Sequence, residues 1–219
     1  MDRTTKSGCD PTEDQFSLSQ WISTIAAMSE EHFALVEKLI PENRVPTDAI
    51  RHFLVTVLRR SLALIDGFLL MADHRNRCCA LPLIRLQLDN VMRVFATCSI
   101  VSDREAFIEQ ILKGQKLHKF KSKDGRKLTD TLLHKELSKK YPPCSHAYEH
   151  SSGFIHLSWE HLFQVLDFGE LMQGRALFAD YRRLPEWPAK LYETEMLEFA
   201  GVTQILLEES QELASLRQS

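Results

Sequence analysis

Two sets of polar residues in this sequence have the spacing that places them on one side of an α-helix. Side chains four residues apart on a helix lie one above another. The first set comprises Arg85, Asp89 and Arg93. The second set comprises Tyr148, Ser152 and His156. Both sets lie among strongly apolar residues, so at least some of these groups should be buried and paired. The sequence therefore predicts a polar cluster between two helices.

The chemistry of this cluster has two interpretations. In the catalytic one, a carboxylate at Asp89 orients His156 and raises its pKa, which prepares a general acid or base. Arg85 then stabilises anionic charge, and three further residues bind the ligand, namely Arg93, Tyr148 and Ser152. In the structural one, Arg85 and Asp89 form an ion-pair network that fixes helix register, and His156 is a satisfied core residue. Both interpretations stay open.

A second group of residues has the types and spacing of metal ligands. The run His146-Ala-Tyr-Glu149-His150 matches the H-x-x-E-H pattern, in which two histidines four residues apart bind zinc. Cys144 lies two residues before the first histidine and offers a sulfur ligand. The motif needs a distant third ligand in a mixed α/β domain, and no strands are evident, so we expect a hydrated, histidine-rich helix face without a metal, and a zinc site is the alternative.

A lysine-rich segment follows the middle of the chain. Residues 113–127 combine many cations with Phe120, which is a pattern found at nucleic-acid interfaces. The predicted nucleic-acid contacts are Lys119, Lys121, Lys123 and Arg126. The alternative is a solvated loop. No glycine-rich phosphate loop is present, so the usual nucleoside-triphosphate enzymes are not expected, and we predict no cofactor.

Apolar periodicity predicts an all-α fold. Apolar residues recur at three- and four-residue spacing, and capping residues and prolines separate the segments. The predicted helices cover about residues 11–40 (as one helix or two), 48–72, 77–100, 103–113, 129–140, 145–166 and 187–216. We therefore expect a single helical bundle of about six to eight helices at residues 12–216, with a flexible N-terminus at residues 1–11.

Composition excludes several classes of protein. The 219 residues are 44% hydrophobic and 26% charged, as in ordinary globular proteins. The net charge of −3 gives no global reason for binding to nucleic acid or a membrane. No apolar run reaches the roughly 20 residues of a membrane span. Five cysteines without a disulfide spacing, and no signal peptide, predict reduced thiols and a cytoplasmic location.

These motifs together resemble a known kind of protein. The segment Leu83–Arg93, the pattern Tyr148-x-x-x-Ser152-x-x-x-His156 and the basic run at residues 125–130 resemble a family of uncharacterised bacterial all-helical proteins. The resemblance covers roughly residues 45–165. Such proteins look distantly similar to the HEPN superfamily, which are helical bundles often found in toxin–antitoxin and phage-defence systems. The resemblance implies a HEPN-like helical core.

Many HEPN members are metal-independent ribonucleases whose signature is an arginine followed, after four to six residues, by a histidine. Here Arg126 and His134 are separated by seven residues. Arg85 and His156 would be an equivalent pair that is not linked in sequence.

Two functional hypotheses follow. The first is a cytoplasmic bacterial protein that binds RNA or a small anionic ligand, as a HEPN-like defence or toxin ribonuclease. The second is a non-catalytic helical module for self-association, for example as a homodimer, in which the polar cluster is structural.

Overall fold

The computed structural model of the chain describes residues 17–40, 48–155 and 189–216. Seven α-helices lie within these residues, and the predicted all-helical class is confirmed for them. The helices are α1 (Leu18–Leu39), α2 (Ala49–Asp73), α3 (Arg77–Phe95), α4 (Arg104–Leu112), α5 (Asp130–Lys140), α6 (Pro143–Ser152) and α7 (Ala189–Ser215). A π-helical turn, Ala96–Ile100, extends α3, and a 3₁₀ turn, Leu117–Lys119, follows α4.

Side-chain caps fix where the helices begin. The hydroxyl of Ser17 accepts a hydrogen bond from the backbone of Gln20, and together they form a capping box at the start of α1. Thr129 caps α5, as its sequence position predicts. Helix α2 begins after Asp48, whose carboxylate accepts from the Arg51 amide at 3.0 Å.

Helices α2 and α3 form the centre of the bundle. Helix α3 packs against α2, α5, α6 and α7. Its side chains Ile84, Leu88 and Val91 are fully buried, as the apolar periodicity predicts. Phe68 of α2 stacks on Phe199 of α7, with ring centroids 3.9 Å apart. The polar residues of α3 border this apolar stripe, so α3 determines where the predicted cluster lies.

Several predictions fall outside the described residues. These are the flexible N-terminus at residues 1–11, the site residue His156, the second half of the helix predicted at residues 145–166 and the start of the helix predicted at residue 187. Helix α6 ends at Ser152 and is followed by a turn that reaches Ile155. The predicted helix at residues 145–166 is therefore described only in its first half. Among the helices described, none has both the length and the apolar character needed to cross a membrane.

Candidate functional site

The two predicted polar sets meet where α3 packs against α6. The guanidinium carbon of Arg85 lies 4.7 Å from the centroid of the Tyr148 ring, a cation–π contact. The same ring stacks on the imidazole of His134 in α5, with centroids 4.0 Å apart and planes inclined by 14°. Tyr148 of α6 therefore contacts a guanidinium group on α3 and an imidazole on α5, and it joins these three helices.

A chain of alternating charges extends along α3 from this contact. The Asp89 carboxylate pairs with Arg93 at 2.8 Å, one helical turn away, and with Arg60 of α2 at 3.5 Å. Arg93 also pairs with Asp130 at the start of α5, at 3.2 Å, and Arg85 lies 3.6 Å from the same carboxylate. Three guanidinium groups thus share two carboxylates, which leaves one excess positive charge.

These groups are desolvated to different degrees. The Arg85 side chain is 13% exposed, while those of Arg93 and Asp89 are 24% and 25% exposed. Arg60 and Asp130 are 41% and 45% exposed. Arg85 is therefore the arginine least able to reach a ligand in solvent, and its interactions with Tyr148 and Asp130 hold it in place.

The charge chain continues into the core as a chain of hydrogen bonds. Arg60 donates to the side-chain oxygen of Asn90. The Asn90 amide donates to Gln87 at 3.1 Å, and Gln87 donates to the Ser61 hydroxyl at 2.6 Å. Ser61 lies 2.8 Å from Nε2 of His32 in α1. Gln87 also donates to Thr203 of α7 at 3.0 Å. Asn90 is 2% exposed, and Gln87, Ser61 and His32 are fully buried, so this network joins four helices through the core.

The donor directions in this network determine the state of His32. Its Nδ1 lies 2.8 Å from the carbonyl oxygen of Met28, which can only accept. Nδ1 therefore carries the proton, and Nε2 accepts from the Ser61 hydroxyl. Burial lowers the pKa of His32, although the Met28 carbonyl and the charge of Glu31 act in the opposite direction. The buried histidine is therefore neutral. Every hydrogen bond of the network then runs the same way, with each residue from Arg60 to His32 donating to the next acceptor in the chain.

Two buried polar atoms beside Tyr148 have no hydrogen-bond partner among the described residues. They are Nε2 of His134 and the hydroxyl of Ser152, one turn after Tyr148 on α6. Burial lowers the pKa of His134; the charge of Glu149 opposes this effect, and the positive charge of Arg85, with the smallest of the three effects, again lowers the pKa. The imidazole that contacts the predicted site is thus held neutral.

His156, the predicted general acid or base, is outside the described residues. Its contact with Arg85 or Asp89 therefore stays a prediction. The structure brings Arg85 and Tyr148 into contact and places Asp89 and Arg93 in the same charge chain, to which it adds Arg60, Asp130 and His134. Among the described residues, the ion pair predicted between Arg85 and Asp89 is not formed, because Asp130 takes Arg85 while Arg93 and Arg60 take Asp89.

The lysine-rich segment forms an anchored turn, which we name the basic hairpin (residues 116–128). An antiparallel bridge joins Lys121 to Lys127. The backbone amide of Lys123 donates to the carbonyl of Ile100 at 2.9 Å, which ties the turn to the end of α3. At its base Leu128 is fully buried, and Phe120 packs edge-on against Phe107 with centroids 4.8 Å apart.

The cations of the basic hairpin differ in their partners. Arg126 pairs with Asp124 at 2.5 Å and with Glu136 of α5 at 3.1 Å, so this predicted nucleic-acid contact is already occupied by carboxylates. The lysines are exposed, and within the described part of the chain none of them lies in an ion pair. These lysines are Lys116, Lys119, Lys121, Lys123 and Lys127.

Of the three residues considered as alternative metal ligands, only the two histidines are brought together. His146 and His150 lie side by side on α6, and both face Glu198 of α7. Cys144 is 1% exposed and is not part of this group. Burial raises the pKa of its thiol to about 12, with a further contribution from Glu209, so the thiol is neutral.

Sequence reasoning missed the residues that come from distant segments. Asp130 lies in the first turn of α5, where a carboxylate interacts favourably with the helix dipole. Its position in the sequence is explained by that interaction alone and gives no sign of the arginines of α3. Glu198 belongs to α7, and its sequence position gives no sign of the two histidines. The position of His134 could have indicated a shared site with Asp130, because the two residues are four apart and lie on the same side of α5.

Comparisons of the chain with protein-family models, with curated proteins and with solved structures found no match.

Proposed function

We propose that the protein binds RNA through the phosphate backbone at the basic hairpin. The observation that carries this proposal is the set of five exposed lysines without ion pairs within the described residues. Elsewhere in the chain cations are commonly paired, as Arg93 is with Asp89 and Lys140 is with Glu209. Lysines that no acidic group neutralises supply the charge that phosphates bind.

The anchoring of the hairpin supports phosphate binding in particular. Its backbone is fixed to the end of α3 and to a buried leucine, so the amines are held on one frame before a ligand arrives. Phe120 packs against Phe107 with ring centroids 4.8 Å apart, so we assign it to anchoring the hairpin rather than to stacking on a base. We therefore expect binding with little preference for base sequence.

The arginine cluster extends this proposal to a ribonuclease. In that form His156 is the general acid or base and Arg85 stabilises the charge on the phosphate. Arg85 would have to exchange Asp130 for the phosphate, since the carboxylate lies 3.6 Å away. RNA cleavage should then be lost in His156→Ala with an intact fold, and unchanged cleavage would refute this extension.

Charge reversal tests the binding proposal. Lys121→Glu/Lys123→Glu should weaken binding of a labelled single-stranded RNA by at least about tenfold in a fluorescence anisotropy titration. Lys38→Glu/Arg59→Glu makes the same change in net charge at exposed positions on α1 and α2 and should leave binding nearly unchanged. Equal loss in both variants, or no binding by the wild-type protein, would contradict the proposal. Competition with inorganic phosphate distinguishes a small anion from RNA.

A specific observation favours the second hypothesis, a non-catalytic interaction module. Leu197 of α7 is 61% exposed, and it lines an apolar groove of about 470 Å³ between α6 and α7. The arginines of the cluster are also paired, as expected of a structural network. In this case the protein should self-associate in light scattering after size exclusion, and Leu197→Ser should reduce the mass to that of one chain.

A further inference from the structure

We infer that His146, His150 and Glu198 bind one divalent transition-metal ion of the zinc class. The two histidines are four residues apart on α6, so their rings project from the same side of the helix. Helix α7 packs against α6 and brings a carboxylate to both rings. Two imidazoles and one carboxylate are a ligand set that zinc uses in proteins. This inference does not depend on RNA binding.

The distances fit a metal centre. Nδ1 of His146 lies 2.5 Å from one oxygen of Glu198, and Nδ1 of His150 lies 2.9 Å from the other. One ligand atom from each of the three residues lies within 4.8 Å of the others. A tetrahedral zinc ion with bonds of about 2.0–2.1 Å separates its ligand atoms by about 3.3 Å. Only a small movement of the side chains is therefore needed to coordinate the ion.

Residues behind His150 provide the support that metal-binding histidines usually have. Its Nε2 lies 3.6 Å from Glu195, a fully buried carboxylate, and 3.4 Å from the guanidinium of Arg77. Arg77 in turn donates to Glu195 at 2.6 Å. Without an ion, Arg77 can only donate to Nε2 of His150, so Nδ1 holds the ring proton and donates to Glu198. When Nδ1 binds a metal, the proton moves to Nε2, and a small movement of the ring from 3.6 Å lets Nε2–H donate to Glu195, while Arg77 keeps its bond to the carboxylate. This arrangement fixes the orientation of the ring.

The site leaves a coordination position for a further ligand. The three residues occupy three positions of a tetrahedron, and the His146 side chain is 70% exposed. The groove between α6 and α7 is lined by His146 and Glu198 together with apolar residues such as Val202 and Ile205. A water molecule or a small ligand in the groove would fill the fourth position, as in open zinc sites.

Titration of the protein, prepared without an affinity tag, with cobalt(II) chloride and zinc chloride tests the inference. We expect one equivalent of Co²⁺ to produce visible absorption bands of a tetrahedral centre, and Zn²⁺ to displace it. Calorimetry should give the same stoichiometry for Zn²⁺. His146→Ala removes an exposed side chain, so the fold is retained, and it should weaken binding at least about tenfold, as should Glu198→Gln.

Two control variants make the result specific. His52→Ala removes an exposed histidine on α2 and should leave metal binding unchanged. Cys144→Ser should also leave it unchanged, and the cobalt spectrum should lack the charge-transfer band of a thiolate ligand. Absence of binding by the wild-type protein would overturn the inference. So would unchanged binding in His146→Ala, or equal loss in His52→Ala, which would indicate adventitious binding to surface histidines.

Discussion

The guanidinium of Arg85 lies over the ring of Tyr148, with its central carbon 4.7 Å from the ring centroid. This contact joins α3 to α6, while the stacking of Tyr148 on His134 joins α6 to α5. The same arginine lies 3.6 Å from Asp130 at the start of α5. The polar cluster therefore holds α5 and α6 against the central helix. Helix α5 directly follows the basic hairpin, and α6 carries two of the ligands of the proposed metal site.

The contact between Arg85 and Tyr148 should depend on the ring and not on the hydroxyl. Tyr148→Phe keeps the face that meets the guanidinium, and the free energy of unfolding should change by less than about 0.5 kcal/mol. Tyr148→Ala removes the ring and should lower it by about 2 kcal/mol. Urea denaturation measures both variants. A Tyr148→Ala protein as stable as Tyr148→Phe would show that the contact adds nothing.

Ser61 should be among the most sensitive polar residues of the core. Ser61→Ala leaves one N–H of the Gln87 amide and the acceptor of His32 without their partner, while the bond from Gln87 to Thr203 remains, and stability should fall by about 2 kcal/mol. Thr56→Ala is the matched control on α2, since its exposed hydroxyl bonds only to a carbonyl of its own helix. The control should change stability by less than about 0.5 kcal/mol. Equal effects in urea denaturation would contradict a role for the network.

Stability should fall as the pH falls below about 6.5, the ordinary pKa of histidine. Burial lowers the pKa of His32 in the folded protein, so the unfolded chain binds a proton in this range and the folded one does not. His134 acts with the same sign. The contribution of these histidines to the unfolding free energy is therefore lost as the pH falls from their pKa in the unfolded chain towards their lower pKa in the folded protein. His32→Gln should show a shallower pH dependence in urea denaturation, and an unchanged dependence would contradict this assignment.

The order of the basic hairpin should matter separately from its charge. Gly125 has a φ of 81°, and a Cβ added there would meet no atom within 4 Å. Gly125→Ala should therefore cost about 1–2 kcal/mol through the backbone alone and weaken RNA binding. Gly114→Ala is the matched control, with the same φ and the same open surroundings after α4. It should cost similar stability without weakening RNA binding in anisotropy titrations. Equal RNA binding by both variants would show that the order of the basic hairpin does not contribute to RNA binding.

The sequence predicted the features that depend on periodicity and local caps. The apolar stripe of α3 is confirmed at Ile84, Leu88 and Val91, because residues on one face of a helix share one environment. The helix at residues 77–100 is also confirmed, with its last turn in π-helical form. These features need information from only one helix.

Contacts between helices that are distant in the sequence could not be predicted, because the spacing of residues within one helix does not show which other helix packs against it. Glu198 and Asp130 became partners of α6 and α3 only through packing. Arg126 shows a different limit. It was predicted as a nucleic-acid contact, and in the structure it forms ion pairs with Asp124, two residues earlier, and with Glu136, ten residues later. A cluster of lysines is thus a better guide to free charge than an arginine with acidic neighbours.

The salt dependence of RNA binding tests the central claim most directly. We would measure the affinity for a labelled single-stranded RNA of about 16 nucleotides between about 50 and 200 mM NaCl. Contacts from three to five lysines predict a slope of log affinity against log salt of about −2 to −3.5, at about −0.7 per phosphate. Lys121→Glu/Lys123→Glu should bring the slope closer to zero by about 1.4 or more. A slope near zero, or one that this variant leaves unchanged, would contradict binding of phosphates by the basic hairpin.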